Sequence, residues 1–418
     1  MERGTTTASV AMAALLWTAP AHGAGFAIRE QSASFQGSAF AGAAAGGDDI
    51  STMFFNPATL TRHPGRQGHV SVSFVAPRAT FDLDEARDGG GGNRIGGGEG
   101  GDIAEDAFVP AVYASTNVGD WFVGVGVTAP FGLRTEQPED WAGRYYATES
   151  ELATINVNPV LAYRVSDRLS VAAGLVAQHA DATLANAVPT TGGDGIAEVT
   201  GDDWDYGFTL GVLAEPFEGT RIGLGYRSQI NHTLEGDFVV TRPADPTVRD
   251  GGRAALATPQ VVSLGVRQRL TENVDLLATL EWTGWRSFDE LRVRRGAGDD
   301  IVTPENWDDS WFVALGAEYR PAADVALTFG AGFDQSPIDD DFRTPRIPGN
   351  DRTWISLGAA WTPRSWVTIG GGYSRLFVAD GGVDLDTGTL GVDGGRGVLR
   401  GTFDNRVDIL AVHGSIRF

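Results

Sequence analysis

Thirteen connections of two strictly alternating sizes, set between segments that repeat with period two, restrict this chain more than any other feature. Val70, Val72 and Phe74 share one face of the first segment. Trp121, Val123, Val125 and Val127 alternate with Phe122, Gly124, Gly126 and Thr128, and the series runs on to Leu410, Val412, Gly414, Ile416 and Phe418. Such alternation marks strands with one apolar face. Short polar turns lie near 117–120, 166–168, 216–220, 271–273, 320–324 and 362–365. Long Gly- and Asp-rich connections lie near 82–106, 131–150, 186–203, 235–257, 294–308, 336–350 and 379–398. Six short and seven long connections predict 14 strands, an even number, with aromatics near many strand ends. These are the marks of a transmembrane barrel of the bacterial outer membrane. A soluble sandwich needs its polar face in water and does not produce this alternation.

Residues 1–23 read as a secretory signal peptide: Arg3, then an apolar run from Val10 to Trp17, then Ala21 and Gly23 at the cleavage positions. That run is too short to span a bilayer as a helix, and no run of about 18 apolar residues follows it. Residues 24–66 show no alternation but contain Phe26, Ile28, Phe35, Phe40, Phe54 and Phe55, too apolar for a solvated arm. A 14-stranded barrel has spare lumen, so this segment is expected inside it as a plug, with the barrel over 67–418.

Composition removes whole classes of chemistry. The 418 residues include no Cys and no Lys, so thiol, disulfide and lysine chemistry are excluded. A net charge of −22 argues against a nucleic-acid partner. The six His form no ligand-spaced pair, and no enzyme, metal or cofactor is expected.

Proline removes a ladder donor and avoids central strands. Pro110, Pro130 and Pro159 stand in neighbouring strands at similar height above the short turns. Either each sits at a bulge, or together with Gly132 they open the wall. In the second case pairing between strands three and four lapses near Pro130–Leu133.

Ala24-Gly25-Phe26 with Asn56-Pro57-Ala58, then Thr128-Ala129-Pro130-Phe131-Gly132-Leu133, Trp141-Ala142-Gly143-Arg144-Tyr145, Gly225-Tyr226-Arg227-Ser228 and Trp282-Thr283-Gly284-Trp285 follow one another in an order and spacing that resemble the FadL/TodX family of outer-membrane transporters. The resemblance covers nearly the whole mature chain. It implies a 14-stranded barrel, a hatch that includes Phe26, Asn56, Pro57 and Ala58, and lateral release of an apolar ligand through a kinked third strand. It also implies passive transport of long-chain fatty acids or of aromatic hydrocarbons. At two places where the family carries basic residues near the ligand, this sequence has Asn186 and Asp308.

The connection after the third strand holds Phe131, Leu133, Trp141, Tyr145 and Tyr146, more apolar surface than a solvated loop needs. An outer ligand groove is therefore expected there, with Trp285 contributing; packing of the loop against its neighbours is the plainer use of the same rings. A carboxylate head group calls for Arg, and Arg144, Arg227, Arg267 and Arg269 are the candidates, although the last three can equally pair with Glu281, Glu318 or Asp334 to fill the lumen. The expected function is passive uptake of a fatty acid, with a hydrocarbon channel or a nonspecific porin as alternatives. The expected partners are that ligand and outer-membrane lipid or lipopolysaccharide, around a monomer.

Overall fold

The computed structural model describes residues 25–89, 92–296, 300–386 and 396–418; the expected signal peptide lies outside them. Fourteen staves close into one antiparallel ring. In chain order they are β1 (Gln67–Arg87), β2 (Ala107–Val118), β3 with β4 (Trp121–Thr128, Gly132–Glu136), β5 (Glu149–Ser166), β6 (Leu169–Thr190) and β7 (Gly193–Phe217). Then come β8 with β9 (Thr220–Arg227, Ile230–Thr241), β10 with β11 (Val248–Thr258, Val261–Thr271), β12 with β13 (Val274–Thr283, Glu290–Arg295) and β14 with β15 (Ile301–Pro304, Ser310–Ala322). The last are β16 (Val325–Asp334), β17 (Arg352–Arg364), β18 with β19 (Val367–Val378, Gly381–Leu385) and β20 (Val398–Arg417). β20 pairs with β1 from Gln67↔Arg417 to Arg87↔Val398, so no sheet edge is left exposed to lipid there.

The two faces of each stave are inverted relative to a water-soluble protein. Along β1, Gln67, His69, Ser71 and Ser73 are buried while Val70, Val72 and Phe74 point outward. Leu175, Tyr206 and Leu315 are 70%, 72% and 66% exposed on the outer surface. A band of that size is stable only in hydrocarbon. Trp121 packs on Tyr163 with ring centroids 4.6 Å apart at the short-turn end, and Phe217, Tyr319, Trp361 and Trp366 share that level.

Two expected long connections are mostly strand. β6 and β7 meet in a tight turn where Gly192 and Gly193 take φ of 91° and 133°, so 186–203 is paired almost throughout. β9 and β10 pair up to Val248↔Val240, leaving 242–247 as loop within the expected 235–257. Above the lipid both faces of a strand meet water or the lumen, and no apolar period marks it.

β2 pairs with β3 only as far as Val112↔Val127. Above that level Ala107 to Ala111 remain paired with β1, while their other side has no ladder partner among the described residues. Ala104 bridges Thr135 higher up, so the opening is a window rather than a slit. The expected lapse between the third and fourth staves is corrected here: β3 and β4 both stay on β5, and the window lies one stave earlier. Thr154 explains the difference. Its N–H donates to Phe131 O (3.1 Å), and its Oγ1 accepts from Phe131 N (3.0 Å), so the kink stays fastened to β5. Pro159 does not border the window. It faces Val125, and its missing donor falls where β5–β6 pairing jumps from Val157↔Ala177 to Val160↔Gly174, with Asn158 Nδ2 donating to Leu175 O (2.6 Å).

Residues 25–66 run inside the ring as short helical turns, among them Ala33–Gln36 and Pro57–Arg62. Several of their closest approaches to the wall fall on glycine: a Cβ on Gly223 would stand 1.7 Å from Ala44 O. Asn56 Nδ2 donates to Ala44 O (2.8 Å) and to Val212 O on β7 (2.9 Å), and its Oδ1 accepts from Ala58 N (3.0 Å). Those bonds tie Asn56-Pro57-Ala58 to β7, and the residues that reach Pro130 are Phe26 to Gln31.

Candidate conduit and window

The chain's own backbone fills the window. Ala27 bridges Phe131, Ile28 N donates to Pro130 O (2.8 Å) and Gly132 N donates to Phe26 O (2.9 Å). Beyond this short pairing the side chain of Gln31 continues the pattern of a strand. Its Nε2 donates to Ala129 O (2.8 Å), and its Oε1 accepts from Ala129 N (3.0 Å). Tyr113 Oη on β2 donates to Gln31 O (2.7 Å). Both rims of the window are thus held by residues 26–31, and Pro110 and Pro130 sit where a ladder would otherwise have required their N–H.

Phe26 lies at the centre of an aromatic cage. Its ring centroid is 4.7 Å from Trp285, 5.4 Å from Phe288, 5.6 Å from Trp307 and 6.0 Å from Phe131, mostly edge to face. On the outer side of this cork is a narrow throat lined by Leu133, Leu152, Leu184, Leu234, Leu256 and Ile347, with Glu151, Glu305 and Arg346 as its charged groups. The throat opens into a mouth that carries Arg242, Arg295, Arg346 and Arg396 against Asp245 and Asp300. Arg346 donates to Glu149 O (2.9 Å), Ser150 Oγ (3.0 Å) and Asn186 Oδ1 (3.3 Å), and neither it nor Arg396 forms an ion pair among the described residues. Burial, then the neighbouring Arg396, pushes the Arg346 guanidinium down, with Glu305 acting the other way.

On the inner side of Phe26 a second chamber is lined by Ile28, Phe54, Phe55, Pro130, Phe131 and Trp354. Of its two guanidinium groups, Arg29 is ion-paired and Arg227 is not, among the described residues. Arg29 meets Glu281 at 2.6 Å and lies over the Phe312 ring, 3.7 Å from its centroid. Arg227 donates to Phe54 O (3.0 Å) and covers the Phe54 ring at 4.2 Å. Burial pushes the Glu30 carboxyl up to about 7, against the opposing effect of Arg29.

The structure brings together Phe26, Phe131, Leu133 and Trp285 of the expected site and places Arg227 in the inner chamber. Trp141 and Tyr146 belong to a separate cluster with Phe81 and Phe403; Trp141 is 1% exposed and its Nε1 donates to Ala147 O (2.7 Å). They pack the connection, the plainer of the two uses weighed for them. Arg144 is held by Asp194 at 2.7 Å, and Tyr145 Oη donates to the same carboxylate (2.9 Å); of the two only Tyr145 lines the mouth. Sequence reasoning missed Arg346, which arrives from the connection between β16 and β17 and bonds the very Asn186 that stands where a basic residue was expected. Arg286 likewise meets Asp308 at 3.0 Å. Only the pairing of a distant loop with these positions reveals them.

A closed 14-stave barrel with an apolar face toward lipid, a filled lumen and an apolar conduit is an outer-membrane transport channel, not an enzyme. Residues 14–418 match the family described as outer membrane protein transport protein (OMPP1/FadL/TodX), and the chain belongs to that family. It is 28% identical to an outer-membrane protein of Neisseria meningitidis serogroup B over 96% of each chain. It is 26% identical to the long-chain fatty acid transport protein of Escherichia coli O6:H1, covering 88% of this chain and 90% of that one. Among solved structures, a Pseudomonas aeruginosa FadL homologue superposes with a TM-score of 0.87 at 22% identity, over 94% of this chain and all of the other, which speaks to fold. The chain is an outer-membrane transporter of hydrophobic compounds.

Proposed function

We propose that the substrate is a long-chain fatty acid, taken up carboxylate first at Arg346 and Arg396 and released sideways between β2 and β3. Residues 24–66 act in this reading as a hatch within the 67–418 barrel, and residues 1–23 as its export signal. The observation that carries the proposal is a pair of half-buried guanidinium groups, without carboxylate partners among the described residues, at the entrance to an apolar throat in a chain of net charge −22. Each methylene moved from water into such a throat contributes about 0.8 kcal/mol, so the tail supplies affinity and the head group supplies selection. The name of the Escherichia coli relative supports the same substrate. Release through the window requires Phe26 to leave its cage and residues 27–31 to leave the rim.

A neutral hydrocarbon is the second reading, and one observation favours it: the inner chamber holds three carboxyl groups, Glu30, Glu281 and Asp334, against two guanidinium groups, Arg29 and Arg227, a balance unfavourable to a further carboxylate. Arg346→Gln separates the two. With a carboxylate substrate, uptake of oleate at low concentration should fall roughly tenfold, as expected for loss of a charge-assisted hydrogen bond, while an alkylbenzene is unaffected. Equal rates for oleate in the variant and the wild type, with the barrel still heat-modifiable on a gel, would remove the fatty-acid reading.

A further inference from the structure

Glu305 lies between β14 and β15, is 5% exposed, and faces the same throat as Arg346. A buried carboxylate and a half-buried guanidinium that share a cavity ordinarily pair, because the carboxylate otherwise bears its desolvation cost alone. These two form no ion pair. The charged groups around Glu305 are Arg346 from the β16–β17 connection, Arg396 just before β20, and Glu151 of β5 on the opposite wall. Its own N–H donates to Asp289 O (2.9 Å), which fixes the backbone and leaves the carboxyl directed by the cavity. Leu291 and Phe288 beside it in the throat are apolar, and the Trp307 indole N–H faces the carboxyl, where the C=O of a neutral acid can accept from it. A carboxyl in that setting is stable as the neutral acid, and a neutral acid is a hydrogen-bond donor.

We propose that Glu305 is a second head-group contact, which as the neutral acid donates its hydrogen bond to the ligand carboxylate held by Arg346 and thereby limits anionic ligands to the pH range in which it keeps its proton. The inference rests on the fatty-acid reading above and adds to it a donor that discriminates by charge state. No proton is transferred: it stays in the hydrogen bond between the two carboxyl groups, and the guanidinium balances the single negative charge. Once Glu305 ionises, the same position presents a second negative charge to the ligand and binding weakens. Burial pushes its carboxyl up to about 8, with Arg346 and Arg396 pulling in the opposite direction. The sign follows: anion binding is full below that value and is lost as pH rises through it.

The test measures binding of dodecanoate, dodecyl sulfonate and dodecanol, each below its micelle concentration, to the full-length protein in lipid nanodiscs. Between about pH 7 and about pH 9, dodecanoate and dodecyl sulfonate should both weaken roughly tenfold, because about one protein in ten keeps the proton at the higher pH. The sulfonate does not titrate in this range, so a shared fall belongs to the protein. Dodecanol should hold constant. Glu305→Gln keeps a donor and cannot ionise, and a guanidinium stays protonated throughout this range, so the variant should bind the two anions with no dependence on pH. A wild type whose anion binding is flat with pH, or a Glu305→Gln variant that keeps the fall, overturns the proposal. If Arg346→Gln leaves dodecanoate binding unchanged, the fatty-acid reading itself has failed. If Arg346→Gln weakens it while wild-type binding is flat with pH, only the role of Glu305 has failed.

Discussion

Joining residues 27 and 131 by a disulfide will stop transport, and reducing it will restore transport. Ala27 and Phe131 face each other in an antiparallel bridge at the rim of the window. Directly opposed antiparallel residues have Cα atoms about 4.5–5.5 Å apart, a separation that a disulfide spans. The native chain has no cysteine, so an Ala27→Cys, Phe131→Cys variant carries a single possible bond. Oxidised, it clamps residues 26–31 to the kink between β3 and β4 and keeps Phe26 in its cage; reduced, it leaves only the ordinary hydrogen bonds, each worth about 1 kcal/mol net. Replacement of Phe131 removes one ring from the cage, so the reference is the same variant under reductant rather than the wild type. Uptake of a fatty acid by proteoliposomes should be at background when oxidised and recover at least tenfold on reduction. Unchanged uptake by the fully oxidised protein would mean that ligand does not leave through this window.

The barrel was legible because lipid and lumen impose opposite solvents on alternate residues, and that signal survives in every lipid-crossing stave. Val70, Val72 and Phe74 against His69, Ser71 and Ser73 is enough to orient β1. Above the membrane the contrast disappears, so the upper parts of β6, β7, β9 and β10 read as loop. The kink was legible from Pro130, because a missing donor is a property of one residue. Which neighbour it loses was not, since Thr154 on β5 and Gln31 in the lumen segment settle that through contacts separated by 23 and 98 residues. The throat was half legible: Leu133, Phe131 and Trp285 are apolar residues in odd places, whereas Arg346 and Glu305 acquire meaning only when two connections fold over one cavity. Trp141 misled for a physical reason, since a ring that packs a loop and a ring that awaits a ligand look the same in sequence.

Arg267→Met should cost roughly 3 kcal/mol or more of barrel stability, the range expected when one member of a buried ion network is removed and its partners stay. Arg267 is 5% exposed; its Nη2 lies 2.7 Å from Asp275 and 2.8 Å from Glu318, and its Nε also donates to Asp275. Arg320 joins the same two carboxylates and reaches Asp48 of the lumen segment at 3.2 Å. The network therefore fastens the foot of that segment to β11, β12 and β15 near the short-turn end. Without Arg267, two buried carboxylates share the one remaining guanidinium of Arg320, aided only by Arg269 at the surface. Methionine fills similar volume but offers no donor. Arg269→Met is the internal comparison: it lies on the same strand and 3.4 Å from the same Asp275, but is 57% exposed, so its loss should cost about 0.5 kcal/mol or less. Urea unfolding of both variants in lipid vesicles, followed by tryptophan fluorescence, measures the difference. If the two lose stability equally, burial is not what gives the Arg267 network its strength.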